Sequence, residues 1–200
     1  MSDKRILRTK KILKQTFMNM LSKKTFEKIT VKSICENSDI SRITFYSHYD
    51  DKYDLVNDIS EDLINSAQKE YQKLQKDNNP EKNPITSYCN FLDCILNIYH
   101  DNFNFFSHTN SYENPYLNFS FYKYILKYLE IHTKKRSKTL KPKYNIKKIA
   151  GFLCYGLLGF INECQAQKND INTVKKEAHS LLKDILKYNI LTDVSQDVKI

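Results

Sequence analysis

The four residues from Ser41 to Thr44 (SRIT) have side chains whose types and spacing fit contacts with the edges of DNA bases. Arginine can bind guanine through two parallel hydrogen bonds, and threonine can donate or accept a hydrogen bond while its methyl group packs on thymine. Isoleucine can also pack on a thymine methyl group. Arg42 and Thr44 are therefore candidates for base recognition, with Ile43 as an apolar contact between them.

These candidates lie in the second of two short predicted helices. Thr30, with Ser33 three residues later, is typical of an N-cap and predicts a helix that ends near Asp39. Asp39 can adopt the left-handed conformation that glycine would otherwise favour in a turn. Ser41 can then cap a further helix over residues 42–47. Two short helices joined by so tight a turn form a helix-turn-helix.

Longer helices are predicted on both sides of this pair. Apolar residues recur at helical spacing before it and predict a first helix over residues 5–23. The same spacing after it predicts a fourth helix from Lys52 to about Lys76, which would link the N-terminal part to the rest of the chain. The polar run from Asp77 to Pro80 is typical of a loop and predicts the end of that helix.

The positive charge of the chain is unevenly distributed. Residues 1–56 hold 12 Lys and Arg against 7 Asp and Glu, whereas residues 57–133 hold 6 against 10. A basic N-terminal part beside an acidic middle fits a protein whose first part meets phosphate groups. A second basic run, residues 134–148, holds 8 against 0 and contains Pro142, and we interpret it as a solvated connection.

The N-terminal quarter of the chain resembles the TetR (tetracycline-repressor) family of transcriptional regulators. The resemblance is carried by Ile12-Leu13, Thr30-Val31, Ile34-Cys35, the run from Ser41 to Tyr49, Lys52 and Leu55. It implies an all-α fold, with an N-terminal three-helix helix-turn-helix DNA-binding domain and a C-terminal helical domain for ligand binding and dimerisation. We place the first domain at residues 1–56 and the second at 57–190, followed by a C-terminal tail at 191–200.

The resemblance also implies a function and a set of contacts. Regulators of this type bind a palindromic operator in double-stranded DNA as homodimers, act mostly as repressors and are released by an effector. Thr30, Tyr46, His48 and Lys52 resemble the residues with which the family contacts phosphate groups. The predicted DNA-contacting residues are Thr30, Ser41, Arg42, Ile43, Thr44, Tyr46, His48 and Lys52.

The body of the chain is predicted to be helical throughout. No strand pattern is found after the fourth helix, and Pro84 and Pro115 can each open a helix, with a short aromatic segment that begins at Asn102. The resemblance implies an effector pocket in this body, and its aromatic residues would suit a small apolar or aromatic effector. The candidates are Tyr88, Phe91, Phe103, Phe106 and Tyr122. Aromatic residues at this spacing also fit an ordinary packed core.

The most apolar run, residues 149–161, is predicted to be a buried helix. It has 13 residues, whereas a bilayer requires roughly 20, so we predict no membrane segment. One stripe would face the core and consists of Ile146, Ile149, Ala150, Leu153, Leu157, Phe160, Ile161 and Cys164. A second stripe contains Phe152, Tyr155, Gly156 and Gly159. With the amphipathic last helix, this helix could pair with its copy across a two-fold axis in a four-helix interface of a homodimer.

A metal-responsive (zinc) sensor is the alternative kind of regulator. Cys89, Cys94, His100 and His108 are of the right ligand types, but their spacings of 5, 6 and 8 residues match no standard zinc site. The five cysteines of the chain fit the role of small core residues, since free cysteine is among the most buried residue types. We therefore predict no bound metal and keep zinc sensing as the alternative.

The residue patterns of common enzymes are missing from the sequence. No glycine lies outside residues 151–159, which excludes a phosphate-binding loop or dinucleotide fingerprint, and neither G-x-S-x-G nor H-E-x-x-H occurs. We therefore predict a protein that is not an enzyme and has no cofactor. The first residues (MSDKRILRTKK) contain no apolar stretch followed by a cleavage site, which predicts a cytoplasmic protein.

Overall fold

The computed structural model describes residues 2–106, 115–136, 140–142, 144–166, 170–187 and 191–193. Within these ranges the chain forms nine α-helices, one short 3-10 turn at Phe26–Lys28 and two strands of three residues each. The helices are α1 (Ser2–Leu21), α2 (Val31–Ser38), α3 (Arg42–Tyr46), α4 (Lys52–Asn78), α5 (Pro84–Asp101), α6 (Phe103–Phe106), α7 (Pro115–Arg136), α8 (Ile146–Ala166) and α9 (Ile171–Lys187). The predicted all-α class is confirmed.

Two short strands lie outside the helical pattern that the sequence predicts. β1 (Leu140–Pro142) pairs in antiparallel fashion with β2 (Leu191–Asp193), so that Lys141 faces Thr192. No strand is predicted at either place. A strand of three residues is too short to show an alternation of apolar and polar side chains, because that signal requires about four to eight residues.

The chain packs as two compact units. The first consists of residues 1–65 and 101–121, and the second of residues 66–100 and 122–200. The first unit therefore contains the whole of the predicted DNA-binding domain and, in addition, α6 and the beginning of α7. Both α4 and α7 contribute residues to each unit.

The core of the first unit forms around the apolar face of α1. Leu13, Phe17 and Leu21 recur at helical spacing on α1 and are fully buried. They pack with the buried side chains of the 3-10 turn, α2, α3 and the first part of α4. These are Phe26, Ile29, Ile34, Phe45, Leu55 and Val56. Burial of each large apolar side chain stabilises the fold by roughly 1.5–3 kcal/mol, so this core holds α2 and α3 in place.

α4 continues two residues beyond its predicted end, through part of the predicted loop. Asn78 and the buried Asn90 exchange side-chain hydrogen bonds of 3.0 and 2.7 Å, so the last residue of α4 is held by a residue of α5. Asn79 is also buried and accepts a 2.7 Å hydrogen bond from the backbone N–H of Asn83. These partners lie far along the chain or in a turn, and local composition does not reveal them.

The second unit has its core between α5, α7, α8 and α9. α5 is buried on several sides, since the five consecutive residues 88–92 are all at least nine-tenths buried. The other helices supply the remaining core residues. They include Ile125, Leu129, Ile149, Ala150, Cys154, Leu158, Ile161, Val174, Ala178 and Leu186. His179 Nε2 of α9 lies 2.8 Å from Asp93 Oδ1 of α5.

The buried face of α8 agrees only in part with the predicted stripe. Ile149, Ala150, Ile161 and Cys164 are buried as predicted, whereas Leu153 and Leu157 are half-buried and their neighbours Cys154 and Leu158 are buried instead. A helix that is apolar all round does not fix its own rotation, so the sequence could not decide between the two. The second predicted stripe lies at the surface of the single chain, with Phe152 64% exposed. No described helix is both long and apolar enough to cross a membrane.

Candidate nucleic-acid interface

The start of α2 is fixed by a complete capping box. The backbone N–H of Ser33 donates to Thr30 Oγ1 at 3.1 Å, and the backbone N–H of Thr30 donates to Ser33 Oγ at 3.0 Å. Two backbone donors that the helix itself cannot satisfy are therefore paired. The sequence prediction that Thr30 caps this helix is confirmed.

The turn between α2 and α3 is closed in the predicted manner. Asp39 has the left-handed conformation, with φ 54° and ψ 37°, and its backbone N–H donates to the carbonyl of Cys35. Ser41 caps α3, because its Oγ accepts a 3.1 Å hydrogen bond from the backbone N–H of Thr44. α3 is anchored below by Phe45, which is fully buried. The helix pair is thus held by its caps and by its core.

The side of α3 that faces away from this core is exposed. Ile43 is 86% exposed and Tyr46 is 55% exposed, and Arg42 is exposed beside them. An apolar side chain gains nothing from water, so the large exposed fraction of Ile43 marks a surface suited to a partner. The edge of the Phe45 ring packs against Tyr46, with ring centroids 5.6 Å apart, which restricts the Tyr46 side chain. Arg42, Ile43 and Tyr46 form the α3 surface.

The other residues predicted to contact DNA differ in their exposure and in the hydrogen bonds that their hydroxyl groups already make. The hydroxyl groups of Thr44 and Ser41 lie 2.9 Å apart, and one of their two hydrogens remains for an outside acceptor. Thr30 and Ser41 are exposed, although each has its hydroxyl in a helix cap. His48 is half-buried just after α3. The structure thus brings seven of the eight predicted residues to the surface of α2, α3 or the turn that follows.

Lys52, which is predicted to contact a phosphate group, is hydrogen-bonded to backbone carbonyls of the chain itself. Its ammonium group donates to the carbonyls of Phe26 at 2.8 Å, Ile29 at 2.9 Å and, more weakly, Glu27 at 3.4 Å. It also lies 4.2 Å from the centroid of the Phe26 ring. Burial lowers the pKa of Lys52 below its ordinary value. All three ammonium hydrogens thus face protein acceptors, and in this conformation Lys52 fixes the segment that leads into α2.

We expect Lys52→Met to lower the free energy of unfolding by about 1–3 kcal/mol, because the substitution leaves the Phe26 and Ile29 carbonyls without their donor. Lys28→Met is the matched control. Lys28 belongs to the 3-10 turn that Lys52 contacts, but it is exposed, so its replacement should change stability by less than about 0.5 kcal/mol. Urea unfolding of the two variants measures both effects. Equal losses would show that Lys52 has no special structural role.

Asp58 of α4 joins three parts of the first unit. It accepts a 2.7 Å hydrogen bond from the hydroxyl of Tyr49, and its carboxylate lies 2.9 Å from the Lys14 ammonium and 3.2 Å from that of Lys10. Burial alone would raise the pKa of Asp58, but the hydrogen bonds from Tyr49 and Lys14 and the lysine charges hold it below its ordinary value. Asp58 therefore ties α1 and the residues after α3 to α4.

The sequence shows which residues of this cluster share one side of a helix. Lys10 and Lys14 are four residues apart on α1, and Asp58 and Asp62 are four residues apart on α4, so each pair lies on one side of its helix. Lys14 also forms an ion pair with Asp62. The complementary spacing is visible in the sequence, but nothing there says that these two helix faces meet.

A cluster of aromatic rings connects the beginning of α7 to the 3-10 turn that precedes α2 and to the beginning of α4. The Tyr116 ring stacks on Phe26, with centroids 5.4 Å apart and planes at 11°, and meets Tyr53 at 4.6 Å in an edge-on arrangement. The Tyr116 hydroxyl donates to Asn57 Oδ1 at 3.4 Å. Because the Lys52 ammonium group lies over the same Phe26 ring, these contacts join α7 to the segment that precedes α2.

Two of the five residues predicted to line an effector pocket lie together in a groove of the second unit. Tyr88 and Phe91 line an apolar groove of the second unit, together with residues of α7, α8 and α9. Phe103 and Phe106 belong to the first unit, where Phe106 is buried and Phe103 is half exposed. Tyr122 belongs to the second unit, where its ring lies 4.5 Å from that of Tyr155.

The residues of the zinc-sensing alternative do not form a recognisable site. Cys89 and Cys94 are buried in α5, His100 is exposed at its end, and His108 lies outside the described residues. Burial raises the pKa of Cys94 to about 12, which disfavours the thiolate that binds zinc. In the part of the chain that the structure describes, no three His, Cys, Asp or Glu side chains are grouped to hold a metal ion.

Comparison of the sequence with known proteins gives one short match. No protein-family model matches the chain. Over 55 residues it is 38% identical to YxbF, an uncharacterized HTH-type transcriptional regulator of Bacillus subtilis (strain 168). The match covers 27% of this chain and only 14% of the length of that relative, so it concerns a segment the size of a single domain.

Comparison with solved structures covers most of the chain. A TetR-family transcriptional regulator from Syntrophomonas wolfei matches with a TM-score of 0.74 at 11% identity, over 89% of this chain and 94% of that one. A TetR transcriptional regulator from Streptococcus agalactiae 2603V matches with a TM-score of 0.60 at 21% identity, over 90% and 97% of the two chains. The chain therefore has the fold of the TetR family of transcriptional regulators.

Proposed function

We propose that this chain is a sequence-specific DNA-binding transcriptional regulator of the TetR type, which acts in the cytoplasm. The observation that carries the proposal is the α3 surface. Arg42, Ile43 and Tyr46 are exposed on one side of a short helix, while Phe45 on the other side is fully buried and Ser41 caps its start. A rigid helix with exposed arginine and apolar side chains is what base recognition in the major groove requires.

The charge distribution supports the same proposal. Residues 1–56 carry a net charge of +5, from 12 basic and 7 acidic residues, whereas residues 57–133 carry −4, from 6 basic and 10 acidic residues. A basic recognition part attracts the phosphate backbone, and the acidic middle of the chain does not compete for it. Binding should therefore be strongly dependent on salt.

Salt dependence gives the direct test of this proposal. The affinity of the purified chain for fluorescently labelled random duplex DNA would be measured by anisotropy at several salt concentrations. If the chain makes six or more phosphate contacts, we expect the affinity to fall on the order of a thousandfold between about 50 and 200 mM salt. Absence of binding at low salt, by a chain that is folded, would refute the proposed DNA-binding function.

We further propose that the regulator is a homodimer that pairs through α8 and α9. On α8, Phe152 is 64% exposed and Tyr155 is 59% exposed, and the exposed Gly156 and Gly159 lie on the same side. On α9, Leu181 is half exposed. An exposed strip of this composition on neighbouring helices fits a four-helix interface between two copies. Two α3 helices about 34 Å apart would then meet successive major grooves of a palindromic operator.

The glycines of α8 provide a specific prediction for the dimer. A Cβ atom added at Gly159 would meet nothing within 4 Å apart from its own stretch of helix, so Gly159→Leu should leave the isolated chain folded and even favour the helix by several tenths of a kcal/mol. In the dimer it would keep the two copies of α8 apart. We expect the dimer dissociation constant, measured by analytical ultracentrifugation, to rise at least about tenfold.

Phe103→Leu is a suitable control for this measurement, since Phe103 is exposed in the first unit and away from both helices in sequence. It should leave the dissociation constant unchanged. A Gly159→Leu variant that is as dimeric as the unmodified chain would exclude this face of α8 from the interface.

The output of such a regulator follows from where its operator lies. A dimer that occupies an operator within a promoter excludes the polymerase, so we propose repression, relieved when an effector weakens DNA binding. α4 and α7 each contribute residues to both units, and Tyr116 of α7 packs on Phe26 in the first. A change in the packing of α4 and α7 in the second unit can therefore be transmitted along these helices to the residues that hold α2.

A further inference from the structure

A polar groove is formed in the second unit by the C-terminal part of α4, the turn after it and α7. Its volume is about 740 Å³, within the range of roughly 300–1,000 Å³ that is usual for small-molecule sites. The apolar groove that contains Tyr88 and Phe91 has a volume of about 120 Å³, too small for such a ligand. The polar groove is therefore the better candidate for a ligand site.

Gln75 is held in one orientation at this groove by a network of side chains. The backbone N–H of Asn83 donates to Asn79 Oδ1 at 2.7 Å, so Asn79 must present its amide hydrogens to Gln75. Gln75 Oε1 accepts from Asn79 Nδ2 at 2.9 Å, and the single Ser87 hydroxyl hydrogen lies between Gln75 Oε1 and the Asn83 carbonyl, each 3.0 Å from Ser87 Oγ. Because Asn79 Nδ2 is a fixed donor, a flipped Gln75 amide would place two N–H groups against each other, so Oε1 lies toward Asn79 and Nε2 on the other side of the amide.

The Nε2 group of Gln75 is a donor without an acceptor. It is buried, and it has no hydrogen-bond partner among the described residues. Buried amide groups in proteins are nearly always paired, so each exception calls for an explanation. Gln75 lines the groove and is itself only half-buried, so a small movement of its side chain would let Nε2 reach an oxygen atom of a bound molecule, the acceptor that the protein lacks.

The other side chains of the groove indicate the charge and shape of that molecule. Lys76 and Lys82 line it, and its described lining contains no Asp or Glu. One wall is aromatic and fixed, since the Tyr128 ring stacks on Phe91 at 5.2 Å and meets the edge of Tyr71 at 6.3 Å. Ile131, which is 46% exposed, adds an apolar surface to the same groove. The lining thus combines positive charge with an apolar wall.

We propose that this groove binds a small organic carboxylate with an apolar body, and that this compound is the effector of the regulator. Only the second part of this inference rests on the proposed function. One carboxylate oxygen accepts the hydrogen bond from Gln75 Nε2, Lys76 and Lys82 balance the charge, and the apolar body packs on Tyr128 and Ile131. This proposal adds a negatively charged group to the small apolar or aromatic effector that the sequence predicted.

Calorimetric titration with benzoate and with benzamide tests the binding site. The two molecules have nearly the same shape and differ in charge. We expect the full chain to bind benzoate with a dissociation constant of about 1 mM or below, and benzamide at least about tenfold more weakly. Equal affinity for the two, or no benzoate binding up to about 10 mM, would overturn the inference.

Three variants test whether benzoate binds in the proposed groove. Gln75→Glu keeps the acceptor that faces Asn79 and Ser87 but turns the unpaired donor into a negatively charged oxygen, so benzoate affinity should fall at least about tenfold. The Lys76→Ala/Lys82→Ala double variant should fall by a similar factor, and both residues are exposed, so it keeps the test valid if Gln75→Glu does not fold. Unchanged affinity in the double variant would overturn the inference.

A matched control, the third variant, is available on the same helix. Lys69 and Lys73 are exposed residues of α4 that do not line the groove, so Lys69→Ala/Lys73→Ala removes the same charge from the same region. Its benzoate affinity should equal that of the unmodified chain. A loss as large as that of Lys76→Ala/Lys82→Ala would reduce the effect to net charge and overturn the proposed site.

Operator binding in the presence of benzoate tests the role as effector. Saturating benzoate should weaken operator binding by at least about fivefold in the unmodified chain and not in Lys76→Ala/Lys82→Ala. Benzoate binding without an effect on DNA would overturn the effector role. DNA binding by a chain that binds no benzoate would refute the inference and leave the proposed function standing. Benzoate binding by a chain that binds no DNA would count against the proposed function and the effector role, and would leave the binding site standing.

Discussion

Replacement of Arg42 by alanine is expected to lower the operator affinity of the dimer at least about thirtyfold without lowering the free energy of unfolding. Arg42 is exposed on α3, beside Ile43, which is 86% exposed. A bidentate contact between arginine and guanine contributes about 1–3 kcal/mol, and a symmetric dimer loses it at both half-sites. Anisotropy titration with operator DNA measures the affinity, and urea unfolding measures the stability.

Arg42→Lys is the control that separates base recognition from simple charge. Lysine keeps the positive charge but lacks the planar group with which arginine forms two parallel hydrogen bonds. If Arg42 reads a base, Arg42→Lys should lose most of the affinity that Arg42→Ala loses. A lysine variant that binds as tightly as the unmodified chain would assign Arg42 to a phosphate group instead, and it would contradict the role given to the α3 surface.

The second large effect is expected at Asp58. Asp58→Asn removes the charge that accepts from the Tyr49 hydroxyl and pairs with Lys14 and Lys10. Hydrogen bonds to charged groups contribute about 1.5–3 kcal/mol, and the Asp58 side chain is only 23% exposed, so screening by solvent is limited. We expect the free energy of unfolding at neutral pH to fall by about 2 kcal/mol, as measured by urea unfolding.

The same variant should change how stability depends on pH. The pKa of Asp58 is lower in the folded chain than in the unfolded chain, where it is about 3.9. The folded state therefore binds fewer protons, and the stabilisation is present above the unfolded pKa and is lost as the pH falls through the folded pKa. The difference between Asp58→Asn and the unmodified chain should be constant above about pH 5 and shrink below about pH 4.

Asp62→Asn is the matched control for both measurements. Asp62 pairs with the same Lys14, but its side chain is 62% exposed. Pairs at the surface contribute little, so the loss should be below about 1 kcal/mol at neutral pH. Equal losses in the two variants, or a difference at Asp58 that persists unchanged in acid, would show that the Asp58 cluster does not hold α1 and α4 together.

The features that the sequence predicted well depend on residues that are close together in the chain. Thr30 caps α2 with Ser33, and Ser41 caps α3 with Thr44, and each partner is three residues away. Asp39 needs only its own short polar side chain to adopt the left-handed turn. Because local chemistry determines caps and turns, the residue pattern alone is enough to locate both helices of the helix-turn-helix closely.

The features that the sequence did not predict depend on distant partners. Lys52 was predicted to bind phosphate, but its ammonium group lies against carbonyls 23 to 26 residues earlier in the chain. Asp58 meets Lys10 across 48 residues. Helical spacing shows which residues share one side of a helix, but it does not show which other helix covers that side. For this reason, the sequence did not distinguish residues proposed to bind DNA from residues that hold α2 and α3 in place.

The candidate ligand groove also depends on partners that the sequence does not reveal. Aromatic residues indicated an apolar pocket, whereas the groove of suitable size adds amides and lysines to an aromatic and apolar wall. The unpaired Nε2 of Gln75 is recognisable only from the hydrogen bond with Asn79, which orients the Gln75 amide. A glutamine on an exposed side of a predicted helix gives no such signal, because its partners lie in the following turn and in α5.

Selection of duplex DNA from a random pool by the purified chain is the decisive experiment for operator recognition by the α3 surface. With Arg42→Ala selected in parallel, we expect the unmodified chain to enrich an inverted repeat whose half-sites lie about one helical turn or a small multiple of it apart, and the variant not to enrich it. A folded chain that enriches no sequence, or an inverted repeat selected equally well without Arg42, would contradict the assignment of the α3 surface to operator recognition.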